Sequence, residues 1–143
     1  MHRSKKIQLL LCVVLLSAAA ACRAKDANTT GTAGVRVTDV TLGRSVGGDK
    51  AITDRTDTFK PNDTIYVSVA TDGAAPSATL RAKWSFEDGQ LVNESTRTIA
   101  PVNKERTEFH IAKPDGWPAG KYKLEVFLND QSAETKSFDV RGS

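Results

Sequence analysis

Residues 79–86 read TLRAKWSF, so that Leu80, Ala82, Trp84 and Phe86 alternate with Arg81, Lys83 and Ser85. Successive side chains leave a β-strand on opposite faces, and an apolar residue at every second position therefore marks a strand with one buried face and one solvated face. The same period recurs on either side of this stretch. Residues 64–71 place Ile65, Val67 and Val69 together, and residues 121–129 place Tyr122, Leu124, Val126 and Leu128 inward. Four fainter runs accompany these core strands: 35–42, where the phase slips between Val37 and Val40 as a bulge would make it; 91–100; 107–112, with Phe109 and Ile111; and 133–140, ending on Phe138 and Val140. No segment of this region sustains a 3.6-residue apolar period.

Turn residues separate the runs. Glu87-Asp88-Gly89-Gln90 and Asn129-Asp130 are hairpin signals, and residues 114–120 (PDGWPAG) are too rich in proline and glycine to be other than a loop. The longest connection is 43–63. So long a stretch without a strong periodic run either hides a short edge strand near Ala51 and Ile52 or carries function. Seven short antiparallel strands in little more than a hundred residues predict an all-β fold, an immunoglobulin-like antiparallel β-sandwich.

Ahead of the sandwich the texture differs. Arg3, Lys5 and Lys6 precede the uncharged run IQLLLCVVLLSAAAA at 7–21, the layout of a secretory signal. The run is shorter than the ~20 residues needed to span a bilayer core, and small residues at its end suit cleavage. Ala19-Ala20-Ala21-Cys22 resembles the lipobox of bacterial lipoproteins, with alanine where leucine is usual. That resemblance implies cleavage before Cys22, acylation of its thiol and a lipid anchor in the membrane; an ordinary signal peptidase cutting after the same alanines would leave a secreted or periplasmic soluble protein. The other cysteine, Cys12, lies inside the signal, so Cys22 has no disulfide partner in the exported chain. Arg23, where an aspartate would resemble an inner-membrane retention signal, points to the outer membrane facing the periplasm. The organisation expected is a signal at 1–21, a lipidated N-terminus and flexible tether at 22–34, and one domain at 35–143.

The domain itself resembles the immunoglobulin-like accessory domains of bacterial envelope proteins, through Trp84 on its third strand, the lead-in FKPNDTIYV (59–67) and WPAGKYKLEVFL (117–128). In such turns a glycine frees the backbone, and the following tyrosine, here Tyr122, buries its ring while its hydroxyl finds a backbone partner. No cysteine staples the sheets, so apolar burial must hold them, with Trp84, Phe86, Phe109, Tyr122, Leu124 and Phe138 as the expected centre. Each fully buried large side chain contributes roughly 1.5–3 kcal/mol.

Charge narrows the function. The formal charge of +3 equals the contribution of the three signal cations, and from Cys22 onward cations and anions balance, which gives no electrostatic footprint for a nucleic-acid partner. Beyond the signal the one histidine is His110, too few soft ligands for zinc or copper. Asp49, Asp54, Asp57 and Asp63 fit no calcium-loop frame and are read as solvated loop acids. No cofactor or metal is expected. With no P-loop or dinucleotide fingerprint, and with His110 on the outward side of its strand, no catalytic residue is expected and a small hydrolase is the remotest reading.

Two candidate binding surfaces remain. If the third, sixth and seventh strands share a sheet, its outward face gathers Arg81, Lys83, Lys121, Lys123 and Phe127, with Lys136 as a further candidate. Such a face either docks an anionic envelope partner or is an ordinary solvated sheet with Glu125 and Glu134 as ion-pair neighbours. Trp117, at a loop tip between Gly116 and Pro118, either stacks on a sugar or partner protein or folds back to plug the end of the sandwich. The expectation is a non-catalytic, lipid-anchored interaction or scaffolding module whose partner is another envelope protein or a cell-wall polymer. The alternatives are a peptidoglycan or carbohydrate binder and an inhibitor of envelope enzymes that inserts the 43–63 loop.

Overall fold

The computed structural model describes residues 34–142. The signal, Cys22 and all of the tether but Gly34 lie outside the described residues. Eight strands run in chain order: β1 Arg36–Gly43, β2 Thr58–Phe59, β3 Ile65–Asp72, β4 Ala78–Phe86, β5 Gln90–Ile99, β6 Glu105–Ile111, β7 Gly120–Leu128 and β8 Gln131–Val140. They form a three-stranded sheet in the order β1-β3-β6 and a five-stranded sheet in the order β2-β8-β7-β4-β5. All pairings are antiparallel except β2 with β8. Strands that follow one another in the chain repeatedly change sheets, the Greek-key pattern of an immunoglobulin-like β-sandwich.

Alternation along the central strands builds the core. Ile65, Val67 and Val69 of β3, Leu80, Ala82 and Trp84 of β4, and Tyr122, Leu124 and Val126 of β7 are buried in one cluster with Phe109 and Phe138. The ring of Phe138 stacks on Tyr122 with centroids 5.2 Å apart and meets Trp84 edge-on at 6.0 Å. Phe86 and Leu128 are only half-buried, because each stands at the end of its strand where the opposing sheet no longer covers it. The phase slip in β1 is a bulge between Val37 and Asp39. The last hairpin turns on Asn129 and Asp130, both at positive φ, a primed turn whose twist matches that of the flanking strands.

The 43–63 connection is a hairpin followed by a strand. Isolated bridges join Gly43 to Arg55 and Val46 to Ile52, and the edge strand expected near Ala51 and Ile52 lies instead at Thr58–Phe59. Phe59 turns into the core edge-on to Phe138, 5.5 Å between centroids. A single aromatic among polar residues has no period, which is why alternation could not mark this strand.

Candidate functional site

Strands β4, β7 and β8 do share a sheet, and its outward face carries Arg81, Lys83, Lys121, Lys123 and Phe127. Anions are interleaved among them. Arg81 reaches Glu94 at 2.9 Å and Asp130 at 3.5 Å, and its guanidinium lies 4.0 Å from the Phe127 ring centroid, capping the aromatic. Lys121 meets Asp139 at 3.6 Å and Lys123 meets Glu125 at 3.8 Å, while Lys83 stands in register between Glu94 and Glu125. Exposed pairs of this kind contribute about 0–1 kcal/mol each; their effect here is to neutralise the face. Lys136 does not belong to it. The register sets Lys136 beside Leu124, on the inward side of β8 at the sandwich edge, where it meets Glu134 at 3.8 Å. Lys136 shares the parity of buried Phe138 and Val140, so period two along β8 itself already sets it on the inward side.

Trp117 is not an exposed stacking platform. Its backbone N–H donates to the Pro61 carbonyl at 2.8 Å, its indole Nε1–H donates to the Asp63 carbonyl at 3.0 Å, and the residue is 7% exposed. The loop folds back, with Gly116 at φ +86° making the turn, and the indole closes this end of the sandwich edge-on to Tyr122. Tyr122 behaves as the turn pattern implied: its ring is buried and its hydroxyl donates to the Pro118 carbonyl at 2.7 Å.

Burial raises the Tyr122 hydroxyl above its ordinary pKa of 10.0, and the negative charge of Glu87 adds to the shift. The unfolded chain therefore loses this proton first. The stability that Tyr122 contributes is whole below about pH 10 and falls as pH rises through the folded-state value. Urea midpoints measured from about pH 8 to pH 11 should decline more steeply for the native chain than for Tyr122→Phe, and that variant should lose about 1 kcal/mol at neutral pH with its hydrogen bond.

The two sheets are unequal, and the inequality opens a site that periodicity did not reveal. No strand of the three-stranded sheet stands opposite β5, so Asn93, Ser95 and Arg97, in register with the inward Trp84, Ala82 and Leu80, look out past the edge of β6. Between β5 and the end of β6 lies an open crevice of about 600 Å³, walled by Leu91, Val92, Asn93, His110, Lys113 and the buried edge of Trp117. No carboxylate lines it, and Leu91 is 56% exposed at its rim. One signal was present in the sequence: a strand polar on both faces belongs at a sheet edge with nothing packed over it.

The sequence-predicted chemistry is otherwise dispersed. His110 is exposed, hydrogen-bonded through Nδ1 to Glu108 and tilted against the Tyr66 ring at 5.2 Å, so its partners are a carboxylate and a phenol rather than a nucleophile. The loop acids are engaged separately: Asp54 pairs with Arg44 at 2.9 Å, Asp63 accepts from the Lys60 N–H, and Asp49 accepts from the Ala51 N–H. Among the described residues no group of three or more histidine, cysteine or acidic side chains converges as a metal site would require.

No protein family matches the chain, and no curated protein does. Among solved structures it is similar to an immunoglobulin-like protein from Pseudomonas aeruginosa, at 19% identity and a TM-score of 0.48, over 75% of this chain and 96% of that one. A CARDB domain from Pyrococcus furiosus, crystallised with di-metal ions, is 14% identical with a TM-score of 0.42, over 83% of this chain and all of the domain. An alkylpurine DNA glycosylase from Pseudomonas fluorescens is 13% identical with a TM-score of 0.48, and there the match spans only 30% of the enzyme. These identities and scores are too low to carry any residue's role across.

Proposed function

We propose that this chain is a lipid-anchored envelope protein whose sandwich works as a non-catalytic interaction module, with the β5–β6 crevice as its contact surface. The observation that carries the reading is the contrast of that crevice with the neutralised outer face: the outer face of the five-stranded sheet cancels its own charge, whereas the crevice presents unpaired strand edges, an exposed leucine and no carboxylate. Placement supports it as well. Gly34, where the tether joins, lies against Ala74 at the β3–β4 end, and the crevice lies by Phe86 and Gln90 at the other end of β4. At ~3.3 Å per residue a strand of this length separates the two by ~30 Å. An anchor at Cys22 would then join the sandwich at the end opposite the crevice, leaving the crevice accessible to a partner in the periplasm.

Two measurements test the reading. The intact mass of the purified mature protein should carry a diacyl or triacyl increment on Cys22, and Cys22→Ser should move the protein from the membrane to the soluble fraction; an unmodified thiol removes the anchor. A photo-crosslinking residue introduced at Leu91 should capture a partner from envelope membranes while the same residue at Lys123 does not. The reverse pattern moves the contact to the outer face.

A further inference from the structure

The edge of β6 is free. β6 pairs with β3 on one side, and on the other no described strand meets it. A strand edge presents unpaired N–H and C=O groups, ready to hydrogen-bond an extended chain laid alongside. Edges of this kind are commonly blunted by covering, by bulges or by charge, and here Arg97 reaches from β5 so that its guanidinium lies 5.4 Å from the ring centroid of buried Phe109 on β6. Arg36, Arg44, Arg81, Arg106 and Arg141 each meet a carboxylate within 4 Å, but Arg97 meets none among the described residues, and neither does Lys113 at the crevice wall.

We infer that the crevice receives an extended acidic peptide segment, which adds to the β1-β3-β6 sheet as a fourth strand on β6. The inference rests on the reading of the crevice as the contact surface and names the chemistry of what binds there. Thr107, Phe109 and Ile111 point inward from β6, so an added strand in the same sheet directs every second side chain toward the inner side of β5. Those side chains meet Asn93, Ser95 and Arg97, a shelf of amide, hydroxyl and unpaired guanidinium that matches carboxylates at alternate positions. Strand pairing supplies the backbone hydrogen bonds and Arg97 supplies the charge selection. A saccharide fits less well, because Trp117 and Tyr122 at the crevice are buried and the half-buried ring of Phe86 is tilted against Tyr122, with centroids 4.7 Å apart.

The probe is a displayed library of random linear peptides as long as β6, selected on the mature protein. Recovered peptides should carry Asp or Glu at alternate positions. Their synthetic forms should shift backbone amide resonances along β6 and β5 rather than on the outer face. N-methylation of alternate peptide nitrogens, which removes the donors needed for pairing, should abolish binding. Arg97→Glu, checked for fold by circular dichroism, should weaken acidic peptides by about tenfold or more, the loss expected of one charge-assisted bond, and should shift selection toward Lys and Arg. The inference is overturned if selected peptides are neutral or basic, if N-methylated forms bind equally, or if cell-wall saccharides perturb the crevice amides and no peptide does. Acylation of Cys22 is read independently of all these outcomes, so the anchor and the ligand class stand or fall apart.

Discussion

Replacing Trp84 with alanine should destabilise the domain by about 3–5 kcal/mol, the range for emptying a buried aromatic site. Trp84 lies in β4, between β5 and β7, has no solvent exposure and packs against Phe138 from β8. With no disulfide among the described residues, the sheets have no other fastening than this core, and small domains are stable by only about 5–15 kcal/mol in total. A loss of this size would lower the melting temperature by more than about 10 °C. Urea unfolding followed by circular dichroism should show a lower midpoint with an unchanged slope. A second substitution sharpens the expectation. The indole Nε1–H is buried without a hydrogen-bond partner among the described residues, a cost of about 1–3 kcal/mol to the native state. Trp84→Phe removes that donor while keeping a ring, so its penalty should be less than half that of Trp84→Ala. Equal penalties would mean that the indole nitrogen is satisfied, and a shift under about 1 kcal/mol for the alanine variant would move the centre of the core elsewhere.

Alternation read the central strands well because a strand between two neighbours, facing an opposing sheet, has its inward positions decided by burial alone. Ile65, Val67 and Val69, then Leu80, Ala82 and Trp84, then Tyr122, Leu124 and Val126 all follow from period two. The pattern weakens where a strand has fewer neighbours. β5 reads as a poor strand because its inner face is covered only in part, with Val92 and Ile99 packed against the core while Asn93 and Arg97 stay exposed, and the same lack of cover makes the crevice. Lys136 shows that charge is a weaker guide than parity: it has the parity of buried Phe138 and Val140, so period two sets it on the inward side, where it stays half-buried at the sandwich edge. Trp117 shows a different limit. Its neighbours Gly116 and Pro118 specify a turn, but whether the ring then faces water or the core depends on the carbonyls of Pro61 and Asp63, more than fifty residues earlier. Long-range partners of that kind leave no periodic trace in a single sequence.

Phe59→Ala should cost nearly as much as emptying the Trp84 site, about 3–5 kcal/mol, although it lies in a strand of only two residues. The aromatic is 1% exposed and edge-on to Phe138, and its strand joins β8 in parallel, with the Asp139 N–H donating to the Asp57 carbonyl and the Arg141 N–H to the Phe59 carbonyl, both at 2.9 Å. Phe59 is thus the point at which the long connection after β1 is sealed into the core. Ile52→Ala offers the contrast: Ile52 is half-buried and faces Val46 across the hairpin, so its truncation should be felt within the hairpin and cost about 1 kcal/mol or less. Hydrogen exchange separates the two. In Phe59→Ala the amides of Asp139 and Arg141 should exchange faster together with those of the hairpin, because β2 and β8 lose their shared hydrophobic contact; in Ile52→Ala the β8 amides should remain protected. Equal effects from the two variants would show that the hairpin docks through its own contacts. The dominance of Phe59 would show that one core aromatic fixes the connection, while the exposed hairpin tip at Gly48 to Lys50 adds only the surface pair of Asp49 with Arg106 at 3.9 Å.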